Sequence, residues 1–179
     1  MPGPPRGNLG SDTVTHGFRV VVTPQYLPEH SVVTEQWQER KYVFAYQIRI
    51  TNESGVRATL RSRRWRIVNA EGERHEVHGE GVVGHQPDIA LGQFFEYASF
   101  CQLETPSGAM EGHYVLREVH TGESLAVAIG RFELTAREMT CSLPRKDARA
   151  STTERFFGGK EYEVENDVEV EREESEERE

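Results

Sequence analysis

The sequence predicts an all-β protein, an antiparallel β-sandwich, and three observations support that prediction. Apolar and polar residues alternate with a period of two through most of the apolar segments, which is typical of strands with one buried face. Turn signals such as Asn52-Glu53-Ser54-Gly55 separate these segments at close spacing. No segment has a convincing helical period, so seven or so short strands must pair with one another.

Each predicted strand follows from its own residues. The first is rich in valine, and the second, over 41–51, alternates cleanly from Phe44 to Ile50. The third ends at a turn over 69–72, from which a short fourth strand pairs back. Gly130 in the last strand indicates a β-bulge. In chain order the predicted strands are Phe18–Thr23, Lys41–Thr51, Arg57–Val68, Arg74–His78, Phe94–Phe100, Gly112–Val119 and Leu125–Leu134.

Charge and apolar content divide the chain into a body and two tails. The 179 residues carry a net charge of −9, and residues 161–179, with eleven acids and two arginines, account for all of it. Residues 1–17, rich in Gly and Pro, are predicted to be a flexible arm. Residues 18–136 are predicted to form one domain, and 137–179 a polar linker and an acidic tail that is expected to be disordered.

Within that tail, Tyr162, Val164, Val168 and Val170 alternate with acidic residues. Such a segment either stays disordered or adds as a strand to a sheet edge, of a partner or of this domain beside its arginine-rich strand. No apolar run of about eighteen residues or signal-peptide core is present, so a cytoplasmic location without a membrane is expected. The two cysteines, Cys101 and Cys141, are expected to be reduced.

The glycine-rich segment Gly79-Glu80-Gly81-Val82-Val83-Gly84 has the spacing of a phosphate-binding loop. A dinucleotide site needs a helix that opens at the last glycine, whereas Pro87 follows and the next regular segment is another strand. The segment is therefore predicted to be a sharp bend between strands. The open alternative is that its amides form a nest for a phosphate group.

Five arginines, Arg57, Arg61, Arg63, Arg64 and Arg66, fall on the third predicted strand. Strand alternation places Arg57, Arg61 and Arg63 on one face and the other two on the opposite face. The row is either a solvated face or a surface for an anion or an acidic partner. Nucleic acid is not expected to bind, because the body is neutral overall. The candidate ligand or anion-binding residues are Gly79, Gly81, Gly84, Arg63 and Arg64.

No metal site, cofactor or catalytic site is predicted. His75, His78 and His85 flank the glycine segment, but in a strand the first two point to opposite faces, and the spacing matches no paired-ligand motif. Cys101 lies in an aromatic strand where a buried thiol is expected, and no nucleophile, base and oxyanion site occur together. The chain is therefore not expected to be an enzyme.

Several motifs together resemble the bacterial ApaG family. The resemblance rests on Tyr42-Val43-Phe44-Ala45-Tyr46, Ser62-Arg63-Arg64-Trp65, the glycine segment with Gln86-Pro87, and the stretch from Phe95 to Tyr114. It covers about residues 18–134 and implies an immunoglobulin-like or fibronectin type III-like sandwich. In eukaryotes a domain of this kind is attached to other proteins, where it resembles a protein-interaction module. The family name is tied to cobalt and magnesium tolerance.

The leading functional hypothesis is a non-enzymatic interaction module whose surface for an unidentified protein partner includes the glycine segment and the arginine-rich strand, with a homodimer as one possibility. The first alternative is a small-ligand module that holds a pyrophosphate or nucleotide at the glycine segment. The second alternative is a sensor of divalent metal ions such as cobalt or magnesium.

Overall fold

A computed structural model describes residues 10–33 and 40–136, together with the backbone of residues 164–166. Eleven strands and one short 3₁₀ turn, Pro28–His30, make up the regular structure of these residues, which contain no α-helix. The strands are β1 Ser11–Thr15, β2 Phe18–Tyr26, β3 Val32–Val33, β4 Arg40–Asn52, β5 Ala58–Asn69, β6 Arg74–Glu80, β7 Asp88–Ile89, β8 Phe94–Leu103, β9 Ser107–Glu118, β10 Ser124–Thr135 and β11 Val164–Asn166.

The strands form two sheets, which confirms the predicted all-β sandwich of the immunoglobulin or fibronectin type III kind. The first sheet has the order β1-β2-β4-β8-β11, with β3 added beside β4. The second has the order β10-β9-β5-β6, with β7 beside β5. Every pair in the two sheets is antiparallel except β8 with β11.

The inner faces of the sheets share one aromatic core. Trp65 of β5 is fully buried and meets Tyr46 of the first sheet at a ring distance of 5.6 Å and Phe132 at 6.0 Å, both edge-on or tilted. The buried hydroxyls of Tyr97 and Tyr114 lie 2.6 Å apart across the sheets. Edge-on ring pairs and paired hydroxyls fix how the two sheets are aligned.

The predicted flexible arm over 1–17 needs correction from residue 11 onward. Strand β1 pairs along its whole length with β2 through a tight turn at His16 and Gly17, both of which have positive φ. Strand β1 was not predicted from the apolar pattern, because it has no row of large apolar side chains. Backbone pairing with β2 and close packing on β10 hold it in place instead. A Cβ on Gly130 would lie 2.2 Å from Thr13 Oγ1, so this glycine allows β1 to approach. Residues 1–9 lie outside the described part of the chain.

Two register shifts shape the second sheet. One occurs in β10 between Ile129 and Phe132, where Gly130 predicts a bulge, and that prediction is confirmed. The other occurs in β5 between Leu60 and Ser62 and was not predicted. The extra residue, Arg61, reverses which residues face the core, because side chains alternate with a period of two.

The acidic tail contains one described strand. The backbone of β11 pairs in parallel with β8, with Val164 opposite Ala98 and Asn166 opposite Phe100. The prediction that 137–179 is a disordered tail is therefore wrong for these three residues. The strand also adds to the first sheet and not, as one alternative had it, beside the arginine-rich strand of the second. The remaining tail residues lie outside the described part of the chain.

Candidate functional site

The glycine segment forms a tight hairpin turn. Val82 and His85 exchange backbone hydrogen bonds of 2.8 Å in both directions, and the two residues between them have positive φ, +46° at Val83 and +73° at Gly84. Positive φ at both central residues is the signature of a type I′ turn. The predicted bend between strands is thus confirmed, and no helix begins at Gly84 to face a pyrophosphate.

The three candidate glycines differ in backbone conformation and in the space around them. Gly81 has φ of +60°, and a Cβ there would lie 2.2 Å from the carbonyl oxygen of His85. Gly84 also has positive φ but faces open space. A Cβ on Gly79 would lie 3.0 Å from the guanidinium of Arg63. Only the first of these positions therefore combines a strained backbone with a blocked side chain.

Arg63 holds the hairpin to the sheet. Its Nη1 donates to the carbonyl oxygen of Gly81 at 2.8 Å and to that of Glu80 at 3.2 Å. The backbone of Gly81 in turn donates to the carbonyl oxygen of Arg61 at 2.8 Å. A guanidinium that binds backbone carbonyls so closely acts as a structural clamp.

The candidate site residues therefore separate into two groups. Gly79, Gly81, Gly84 and Arg63 come together at the hairpin, whereas Arg64 lies on the outer face of the second sheet. The predicted grouping of Arg57, Arg61 and Arg63 on one face is wrong, because the bulge at Arg61 shifts Arg63 to the parity of buried Trp65 and Ile67.

Most arginines on the outer face of the second sheet are paired with carboxylates. Arg64 lies 2.6 Å from Glu76, Arg57 lies 2.6 Å from Asp88, and Arg66 lies 3.0 Å from Glu111. The hydrogen bond from Arg57 lowers the pKa of Asp88, and the one from Arg64 lowers the pKa of Glu76. Because these pairs are exposed, each contributes little to stability.

Two other arginines on this face have no such partner. Arg61, at the bulge, and Arg117 of β9 line one shallow depression with a volume of about 390 Å³, and neither guanidinium group forms an ion pair or a hydrogen bond with any described residue. His120 of the β9–β10 turn and the hydroxyl residues Thr59 and Thr121 line the same depression.

The depression also contains one acid, whose carboxylate is already engaged. Glu118 accepts a hydrogen bond of 2.8 Å from the hydroxyl of Thr121. The depression consequently has a local excess of positive charge.

Arg117 was not among the predicted site residues. The pairing of β5 with β9 sets Thr59 opposite Arg117, and Arg61 is two residues further along β5. The two arginines are therefore neighbours. Strand alternation alone would have placed Arg117 outside, since buried Leu116 precedes it, but not beside Arg61. The missing information was therefore the pairing of the two strands.

The described residues contain no group of three or more His, Cys, Asp and Glu side chains placed to hold a metal ion. His75, His78 and His85 are exposed, and Cys101 is buried with its Sγ 3.8 Å from the carbonyl oxygen of Gln102. The described residues contain no helix that is long and apolar enough to cross a membrane.

Comparisons with known proteins agree on one family. The protein-family model described as the ApaG domain matches residues 33–118 of this chain. The chain is 43% identical over 125 residues to Protein ApaG of Methylobacterium nodulans, covering 70% of this chain and 92% of that protein. It is 47% identical over 104 residues to Protein ApaG of an Anaeromyxobacter species, covering 58% and 78% of the two chains.

Two solved structures are similar in fold as well as sequence. A crystal structure from Bordetella pertussis, described as an ApaA protein, is 43% identical with a TM-score of 0.61 and covers 68% of this chain and 94% of that one. An X-ray structure of a structural-genomics target is 31% identical with a TM-score of 0.63 and covers 75% and 97% of the two chains.

Proposed function

The chain belongs to the ApaG family, and from that premise we propose that it is a non-enzymatic interaction module which binds an acidic segment of a partner protein. The binding surface is the outer face of the second sheet, centred on Arg61 and Arg117. Membership of the family supports the interaction-module part of this proposal, and the contacts of the described residues support the choice of surface. The cytoplasmic location stays a prediction from the sequence, and a link to cobalt or magnesium tolerance stays an implication of the family resemblance.

The single observation that supports this surface is the pair of guanidinium groups without carboxylate partners. Arg57, Arg64 and Arg66 on the same face each have one, so an incoming anion would have to displace it. Arg61 and Arg117 require no such exchange. A guanidinium offers several donors in a fixed plane, which suits a carboxylate-rich peptide.

The surrounding residues add to this preference. Thr59 and Thr121 bring hydroxyl groups, and His120 brings an imidazole N–H donor. The depression is shallow and exposed, so a contact there would depend on charge and weaken in high salt. An extended chain segment lying across the sheet fits such a surface better than a buried small molecule does.

The test compares two double variants with the same change in charge. Arg61→Ala with Arg117→Ala removes the unpaired cations, and Arg19→Ala with Arg49→Ala removes two exposed cations from the first sheet as the matched control. Binding of a fluorescent ten-residue glutamate-rich peptide is followed by anisotropy at low and high salt. We expect a loss of affinity of about tenfold or more for the first variant only. Equal affinity for both variants would reject this surface.

Crosslinking with mass spectrometry in the native host then identifies the partner. We expect crosslinks from β5, β9 and the β9–β10 turn to an acidic segment, and their loss in the Arg61 and Arg117 double variant. Crosslinks that persist in that variant would place the partner elsewhere.

A second candidate function is binding of pyrophosphate or a nucleotide at the glycine hairpin. The backbone N–H groups of Val83 and Gly84 have no acceptor among the described residues, and Val83 is β-branched with positive φ, a costly conformation often found at functional sites. Against it, the amides of Gly81, Val82 and His85 already donate within the chain. Calorimetry with pyrophosphate and ATP decides, and the absence of heat at millimolar ligand would remove this candidate.

A further inference from the structure

Without β11, the first sheet would end at strand β8, whose sequence favours pairing with another chain. Strand β8 pairs with β4 on one side, so without β11 its other side would be the edge of the sheet. Its residues Tyr97–Leu103, Tyr-Ala-Ser-Phe-Cys-Gln-Leu, contain no charge, proline or glycine. A long uncharged edge of this kind is a ready template for strand addition by another chain.

The tail contributes the strand that covers this edge. Val164, Glu165 and Asn166 lie opposite Ala98, Ser99 and Phe100 in parallel pairing. The middle of the edge is correspondingly out of contact with solvent, because Ala98 and Ser99 have no exposed surface. Residues 137–163, if extended, would reach about 90 Å, far more than the width of the domain, so the chain length permits docking within one molecule.

The composition of the tail explains why its addition would end the sheet. The ten residues 161–170 carry five acids, at Glu161, Glu163, Glu165, Asp167 and Glu169. Docking of residues 164–166 on β8 brings this acidic stretch of sequence to an edge that is itself uncharged. Charged residues on an edge strand discourage further pairing, because two such edges repel each other.

We propose that the acidic tail is an intramolecular guard strand, which docks residues 164–166 on the β8 edge and prevents a second copy of the chain from pairing there. The occupant is the chain's own tail. The proposal concerns the first sheet and is independent of the Arg61 and Arg117 surface on the second.

Hydrogen exchange in the full-length chain tests the docking. Glu165→Pro removes a backbone donor in β11 and restricts its backbone, whereas Glu176→Pro makes the same change beyond the strand and serves as the control. Amides of Ala98–Phe100 that point toward β4 stay protected in all three proteins. We expect the amide or amides that point away from β4 to exchange at least tenfold faster in Glu165→Pro only. Identical exchange at these positions in wild type and Glu165→Pro would overturn the proposal.

A synthetic peptide of residues 161–170 tests whether the strand acts directly. Added to the Glu165→Pro protein, it should restore protection at the β8 edge, and a scrambled peptide of the same composition should not. Equal effects of both peptides would assign the protection to charge alone and overturn strand docking.

Sedimentation separates the intramolecular strand from a second copy. We expect the wild type to remain a monomer at micromolar concentration while Glu165→Pro self-associates as its concentration rises. A wild-type dimer whose edge protection is lost on dilution would show that a second copy covers β8, which contradicts the guard strand.

Discussion

The glycine hairpin allows a prediction that compares the same substitution at two positions, Gly81 and Gly84. Gly81 and Gly84 both have positive φ; Gly84 is a central residue of the type I′ turn, and Gly81 directly precedes that turn. A methyl group on Gly81 would lie 2.2 Å from the carbonyl oxygen of His85, whereas one on Gly84 would meet nothing within 4 Å. Comparing Gly81→Ala with Gly84→Ala therefore isolates the steric clash from the backbone cost.

The expected magnitudes follow from these geometries. A left-handed backbone costs an alanine about 1–2 kcal/mol, which is the whole expected loss for Gly84→Ala. In Gly81→Ala the His85 carbonyl must also retreat by about 1 Å, which disrupts the two 2.8 Å bonds between Val82 and His85. At about 0.5–1.5 kcal/mol for each bond, the total becomes about 2–5 kcal/mol.

Thermal and urea unfolding of the full-length variants, followed by far-UV circular dichroism, gives both values. For a domain of this size 1 kcal/mol corresponds to a change in Tm of roughly 3–6 °C, so the two variants should be clearly resolved. Gly92→Ala, with φ of +72° and open space around it, should match Gly84→Ala. If Gly81→Ala and Gly84→Ala lose the same stability, or their order is reversed, the steric argument is refuted.

Three further predictions concern the second sheet. Gly112→Ala should cost about 3 kcal/mol or more, because its Cβ would lie 2.0 Å from the Arg64 carbonyl oxygen, whereas Gly55→Ala has open space and should cost far less in the same unfolding assay. Arg63→Ala should cost about 1.5–3 kcal/mol through loss of its bonds to the hairpin carbonyls, while Arg61→Ala should stay within about 0.5 kcal/mol of wild type. A cost for Arg61→Ala as large as that for Arg63→Ala would contradict the clamp. The pKa of Asp88 lies below its ordinary value of 3.8 because of Arg57, so its small stabilising contribution is complete above about pH 5 and is lost as the pH falls through the folded-state pKa. The stability difference between wild type and Asp88→Asn should therefore shrink in acid, and a difference that grows there would reverse the assigned sign.

Much of the candidate site was accessible from the sequence, but not its chemistry. The hairpin could be foreseen because Pro87 and the following strand exclude a helix after Gly84. The role of Arg63 could not, since nothing within one strand reveals that its guanidinium would bind the carbonyl oxygens of Glu80 and Gly81 on a neighbouring strand.

The sequence by itself determined the all-β class, most of the strands and turns, and the bulge at Gly130, because alternation, turn residues and glycine conformations are local properties. Only the tertiary structure decided which strands pair and in what register. The extra residue at Arg61 reversed the faces of β5, Arg117 joined Arg61 from a strand more than fifty residues away, and β1 and β11 extended the first sheet. These features depend on contacts between distant segments, and a shift of one residue in register moves every side chain to the opposite face.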